Sequence, residues 1–145
     1  MSHQPRRIVR SFLTILICIL TVSLSARSGH AQDAQAAPVE SLRKAIASGD
    51  AQALMEHAGE RVEIALPNKG SVYSRSQAVY VMKHFFEEHP PVRVEVQRSS
   101  ESGGSRFVEG TYRTAQDRSF SLYLRLFWEG EQWSLSEVRV RRNSE

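Results

Sequence analysis

Residues 32–145 contain no cysteine. The only one in the chain, Cys18, sits in an N-terminal apolar run. A disulfide scaffold and a thiol nucleophile are therefore excluded for that stretch, and the fold must rest on its core. There is no Gly-x-Ser-x-Gly pattern and no Gly-rich phosphate loop. Gly103–Gly104 lies between two strand patterns, which marks a hairpin turn rather than a strand-to-helix junction. Acidic residues are missing from residues 1–31, where Arg6, Arg7, Arg10 and Arg27 stand. The formal charge of +3 thus belongs to the N-terminus. Residues 32–145 hold 15 basic and 16 acidic residues, a balance that does not suit nucleic-acid binding.

What the N-terminus does have is a basic stretch, then the 13-residue run Phe12–Leu24, then small residues through Gly29 and Ala31. These are the parts of a secretory signal. Thirteen helical residues reach only about 20 Å, short of a ~30 Å hydrocarbon core, so a permanent anchor is the weaker reading. Ile17 precedes Cys18 where a lipidated cysteine would follow Gly or Ala. The expected organisation is a signal peptide over 1–31, a disordered leader over 32–37 and one domain over 38–142. The protein would be exported across the inner membrane, to be periplasmic or secreted. It would touch membrane only through the signal segment before cleavage.

The domain begins with helical patterns. Pro38 suits a first turn, and Val39, Leu42, Ala45 and Ile46 recur at helical spacing. Ser48–Gly49–Asp50 stops that helix, and Asp50 can cap a second one that ends near Gly59. Val62, Ile64 and Leu66 alternate with Arg61, Glu63 and Ala65, as in a half-buried strand. Pro67–Gly70 reads as a turn. Ser74-x-x-Gln77 is spaced as a capping box, opening a helix to about Glu88 with Ala78, Val79, Met82, Phe85 and Phe86 on one face. Pro90–Pro91 ends it.

Four strands then follow, joined by tight turns. Val92, Val94 and Val96 alternate on the first. Arg106–Thr114 is the second. Phe120, Leu122, Leu124, Leu126 and Trp128 share one face of the third. On the fourth, Trp133 and Leu135 are out of phase with Val138 and Val140, which predicts a β-bulge near Ser136–Glu137. The expected fold is α+β, with N-terminal helices packed on a curled antiparallel four-stranded sheet.

The pattern Ile64-x-Leu66-Pro67-Asn68-Lys69-x-x-x-Tyr73-Ser74-Arg75-x-Gln77-Ala78, followed by Met82-Lys83-x-Phe85-Phe86-x-x-x-Pro90-Pro91, resembles a secreted bacterial family known as domain of unknown function 4783. The whole arrangement resembles the nuclear transport factor 2-like, or cystatin-like, cone. The resemblance covers about residues 38–142 and implies the fold and export, but no reaction. His89 departs from it, standing where relatives would carry Asn as a helix cap. Enzymes of the wider fold place an Asp or His base with a Tyr or acid donor inside the cone, so fold alone settles nothing.

Four constellations invite a functional reading. His84 and His89 flank Glu87 and Glu88, but five residues place the two rings about 140° apart on a helix, so they share no ligand face. No metal and no cofactor is expected. For acid–base work in a conical pocket the residues to weigh are His57, Glu109 and Arg113, although Glu109 can simply pair with a neighbouring arginine. Arg139, Arg141 and Arg142 suit a solvated strand face. Finally, Tyr123, Arg125 and Phe127, with Tyr112 beside them on the next strand, suggest a contact face. Through it the chain could pair as a homodimer, while the cone could take a small apolar ligand. The leading expectation is an exported, non-catalytic binding or protein-interaction domain. The alternative is a small-molecule enzyme of isomerase or lyase type.

Overall fold

The computed structural model describes residues 37–143. The expected signal peptide and nearly all of the leader lie outside these residues. Three helices are present: α1 (Val39–Ala47), α2 (Ala51–Glu56) and α3 (Arg75–Glu88). Six strands accompany them: β1 (Ala58–Leu66), β2 (Lys69–Ser74), β3 (Pro91–Ser102), β4 (Ser105–Thr114), β5 (Ser119–Trp128) and β6 (Trp133–Arg142). Among the described residues no helix is long and apolar enough to cross a membrane.

Local chemistry sets the element ends. Gly49 takes a left-handed φ of 68° after α1, with its N–H bonded to the Ile46 carbonyl and that of Asp50 to Ala45. This is a Schellman stop. Asp50 then accepts from the Ala53 N–H at 2.9 Å and so caps α2. Ser74 and Gln77 form the expected capping box on α3. Gly103 and Gly104 both have positive φ, which turns β3 into β4 with two residues.

The sheet has six strands in the order β2-β1-β6-β5-β4-β3, not four. All neighbours are antiparallel except β1 and β6, which run parallel. Two features escaped the sequence pattern. Residues 69–74 form an edge strand that is largely exposed and so lacks apolar alternation. The β1–β6 pairing joins segments roughly 75 residues apart, which no local period can signal.

Side chains alternate across this sheet. The inner row Val108, Leu124, Val138 and Ile64 runs across four strands, and each member is at most 2% exposed. Burying a residue of this kind contributes about 1.5–3 kcal/mol. The predicted bulge is present. Arg125 faces Glu137 and Leu126 faces Leu135, so Ser136 is the extra residue. It keeps Leu135, Val138 and Val140 on the inner side, with Trp133 half-buried. On β3 the expected alternation fails at Val92, which sits in a bulge and is exposed.

Helix α3 lays Ala78, Met82, Phe85 and Phe86 against the inner face. The rings of Phe85, Phe86, Tyr112 and Phe120 interlock with centroids 5.7–6.4 Å apart. The concave side is thereby filled. His89 joins this cluster, its ring 4.9 Å from Phe85 and 5.2 Å from Phe120. Its backbone (φ −132°, ψ 67°) is neither helical nor the left-handed cap that Asn would favour, and Pro90 disfavours the helical region for it. Its role is that of a packing residue.

Candidate functional site

The candidate pocket residues do not converge. Glu109 and Arg113 alternate with buried Val108, Gly110 and Tyr112, so both face away from the helices and are exposed. Glu109 makes an ion pair with Arg98 at 3.9 Å. His57 caps the end of α2, half-buried, and its carbonyl accepts the Leu135 N–H at 2.6 Å. Strands β6 and β5 separate β1, which follows His57, from β4. Tyr112 requires a correction too. It is fully buried on the inner face, opposite Phe120, because its parity follows Val108 rather than Glu109. Its hydroxyl donates to the His89 carbonyl, and burial pushes its ionisation well above the usual phenol range. His84 and Glu88 form an exposed i,i+4 pair at 3.5 Å. Among the described residues no group of three His, Cys, Asp or Glu side chains could hold a metal.

Tyr123, Arg125 and Phe127 do share the outer face, and register extends it across all six strands. One row reads Ser100, Phe107, Arg125, Glu137, Glu63, Val72. The next reads Arg98, Glu109, Tyr123, Arg139, Ala65, Gly70. Phe127 is 49% exposed, and the Phe107 and Tyr123 rings lie 6.4 Å apart. No helix covers this side among the described residues.

At its centre lies a carboxylate that is nearly dry. The Glu137 side chain is only 6% exposed. Arg139 binds one of its oxygens and the Arg125 Nε lies 3.7 Å from the other. The Arg139 guanidinium also sits 5.3 Å over the Tyr123 ring. Arg125 is steadied by the bulge, its Nε 3.3 Å from the Ser136 hydroxyl, which donates to the Arg125 carbonyl at 3.0 Å. Burial, then Glu137, raises the Tyr123 phenol above its usual range. These five side chains, with Ser136, Tyr123 and both arginines around Glu137, thus hold one another in place. Beside them is an open depression of about 300 Å³, bordered by Arg61, Ser105, Arg125, Phe127, Glu129 and Ser134.

Charge is unevenly shared between the faces. Arg61, Arg93, Arg98, Arg113, Arg125, Arg139 and Arg141 point outward, against Glu63, Glu95, Glu109 and Glu137 on the strands and Glu129 at the border of the depression. The outer face therefore carries two excess positive charges, both arginine. Arg93 and Arg113 stand directly opposite each other across β3 and β4, an arrangement that costs stability. Sequence reading missed Glu137 and Phe107 as members of this face. The bulge it located supplied the signal, because one extra residue at Ser136 puts Glu137 beside Arg125.

Comparison with solved structures shows the fold. A DUF4783 family protein from Bacteroides ovatus matches with a TM-score of 0.68 at 21% identity, over 72% of this chain and 94% of that one. One from Bacteroides uniformis matches at 0.68 and 23%, over 73% and 97%. A nuclear transport factor 2-like protein of unknown function from Shewanella baltica matches at 0.55 and 9%, over 74% and 89%. No curated protein matches the chain. The model of the domain of unknown function DUF4783 matches residues 39–141, and the chain belongs to that family.

Proposed function

We propose that the protein is an exported, non-catalytic interaction domain whose outer sheet face docks an acidic protein surface. One observation carries this reading. The inner face is filled by interlocked rings, while the outer face is uncovered, arginine-rich and set with a half-exposed phenylalanine. Arginine and aromatic side chains are the types enriched at the centres of protein interfaces. Arg125 and Arg139 are held in place before any partner arrives, which lowers the ordering cost of binding.

The charge pattern selects among occupants. Two copies meeting through this face would bring four excess positive charges together, and like-charge contact costs several kcal/mol. A second copy is thus disfavoured relative to an acidic partner. A nucleic-acid strand is disfavoured as well, because the Tyr123 ring, which would stack a base, is already covered by Arg139. The enzyme alternative needs an acid–base group at an apolar pocket, and Glu109 and Arg113 lie on solvent. A small apolar ligand in the cone would have to displace Phe85, Tyr112 or Phe120.

Sedimentation velocity at 50 and 300 mM salt tests this choice of occupant. The protein is expected to be monomeric at both. A dimer that is lost on Phe127→Glu substitution would show that the face pairs with itself.

A further inference from the structure

The helical side of the molecule carries a groove that the docking reading leaves unused. The turn between α1 and α2 lies along α3, so close that a Cβ on Gly49 would meet the Phe86 Cβ at 3.6 Å. On α3, Ser76, Val79, Tyr80 and Lys83 fall on one face at helical spacing. Between that face and residues 48–52 is an open groove of about 720 Å³, inside the roughly 300–1,000 Å³ usual for small-molecule sites. Both walls are stiff, because Gly49 closes α1 and Asp50 caps α2 through the Ala53 N–H. Tyr80 is 75% exposed, and among the described residues its side chain makes no hydrogen bond or ring contact. The Gln52 carboxamide is likewise without a partner among the described residues. Asp50 uses one carboxylate oxygen on the cap and keeps the other. Lys83 makes only a loose pair with Glu87, at 4.0 Å.

We propose that this groove binds a neutral oligosaccharide. A pyranose ring presents a flat C–H face and a rim of hydroxyls, each of which both donates and accepts. The exposed Tyr80 ring offers a flat apolar surface to that face, rigid apart from two χ angles. For the rim, the Asp50 carboxylate accepts, the Lys83 ammonium donates, and Gln52 and Ser76 do both. Asp50 and Lys83 cancel in charge, so the lining selects no ion. Its apolar side chains come down to Ala51, Val79 and Tyr80, too few for the apolar centre of a stable protein interface. The site does not rest on the docking reading. It lies on the helical side of the sheet, where a saccharide competes with no protein partner on the outer face.

The test titrates the full chain with cellotetraose, maltotetraose and chitotetraose in turn, followed by backbone amide NMR, with sorbitol as the acyclic control. Saturable shifts at Gln52, Ser76 and Tyr80 are expected for at least one of the three, with a Kd below about 10 mM. Sorbitol, which has the hydroxyls but no flat ring face, should bind at least tenfold more weakly. Tyr80→Ala should weaken saccharide binding at least tenfold, and Tyr80→Phe, which keeps the ring, should hold it within threefold of the unchanged protein. Because Tyr80 is exposed, amide shifts away from the groove should stay the same in both variants and show that they fold. The proposal is overturned if none of the three saccharides saturates, or if sorbitol binds equally. It is also overturned if Tyr80→Ala binds as tightly as the unchanged protein, or if Tyr80→Phe is as weak as Tyr80→Ala, since the ring face would then take no part.

Discussion

His89 shows how a single residue can be misplaced by its chain position. It ends a helix of exposed charged residues, where a solvated histidine would be ordinary. Its ring instead lies between Phe85 and Phe120, and its Nδ1 is buried without a hydrogen-bond partner. Burial holds its proton affinity below the usual value of 6.5; Arg118 and Arg142 act the same way and Glu88 opposes them. The unfolded chain then binds a proton that the folded one resists. Stability should be full above about pH 6.5 and fall as pH drops toward the lowered folded value. His89→Phe keeps the ring, removes the orphan nitrogen and should gain about 1 kcal/mol. It should also flatten the acid-side loss. Urea midpoints at pH 8 and pH 5 measure both effects, and an equal loss in the variant would place the proton elsewhere. Tyr112 is a comparable case. Strand adjacency alone set it beside Tyr123, but it shares the parity of Val108 and its ring faces inward.

At the scale of elements, legibility followed local chemistry. The capping box at Ser74, the Asp50 cap, the Gly103–Gly104 turn and the Ser136 bulge are each written in a few adjacent residues, and each is present. The edge strand β2 was not readable, because exposed residues on a sheet edge need no alternation. The parallel β1–β6 pair was not readable either, since register between distant segments is set by the assembled core. Gly110 lies at the second bulge of β3, and a Cβ there would overlap the Glu95 carbonyl oxygen. Backbone on both sides leaves nothing free to move. Gly110→Ala should therefore cost more than about 2 kcal/mol in urea denaturation. A neutral result would mean that β3 and β4 are spaced more widely here.

For the molecule as a whole, the sheet divides two kinds of chemistry. Its inner side is closed by aromatic packing and its outer side is open, cationic and partly pre-ordered. The sequence alone showed the Tyr123, Arg125 and Phe127 stripe, but not the excess charge, because arginines from all the outer rows sum only once register is known. Docking of an acidic protein on this side is the central claim. It is tested most directly by placing a photo-crosslinking amino acid in living cells at position 127 and, separately, at position 80. Phe127 lies on the outer sheet face, and Tyr80 is 75% exposed on the helical side. We expect an adduct from position 127 to an acidic protein other than this chain, weakened by Arg125→Glu, and none from position 80. Adducts from position 80 alone, or from position 127 only to a second copy of the chain, would contradict the account.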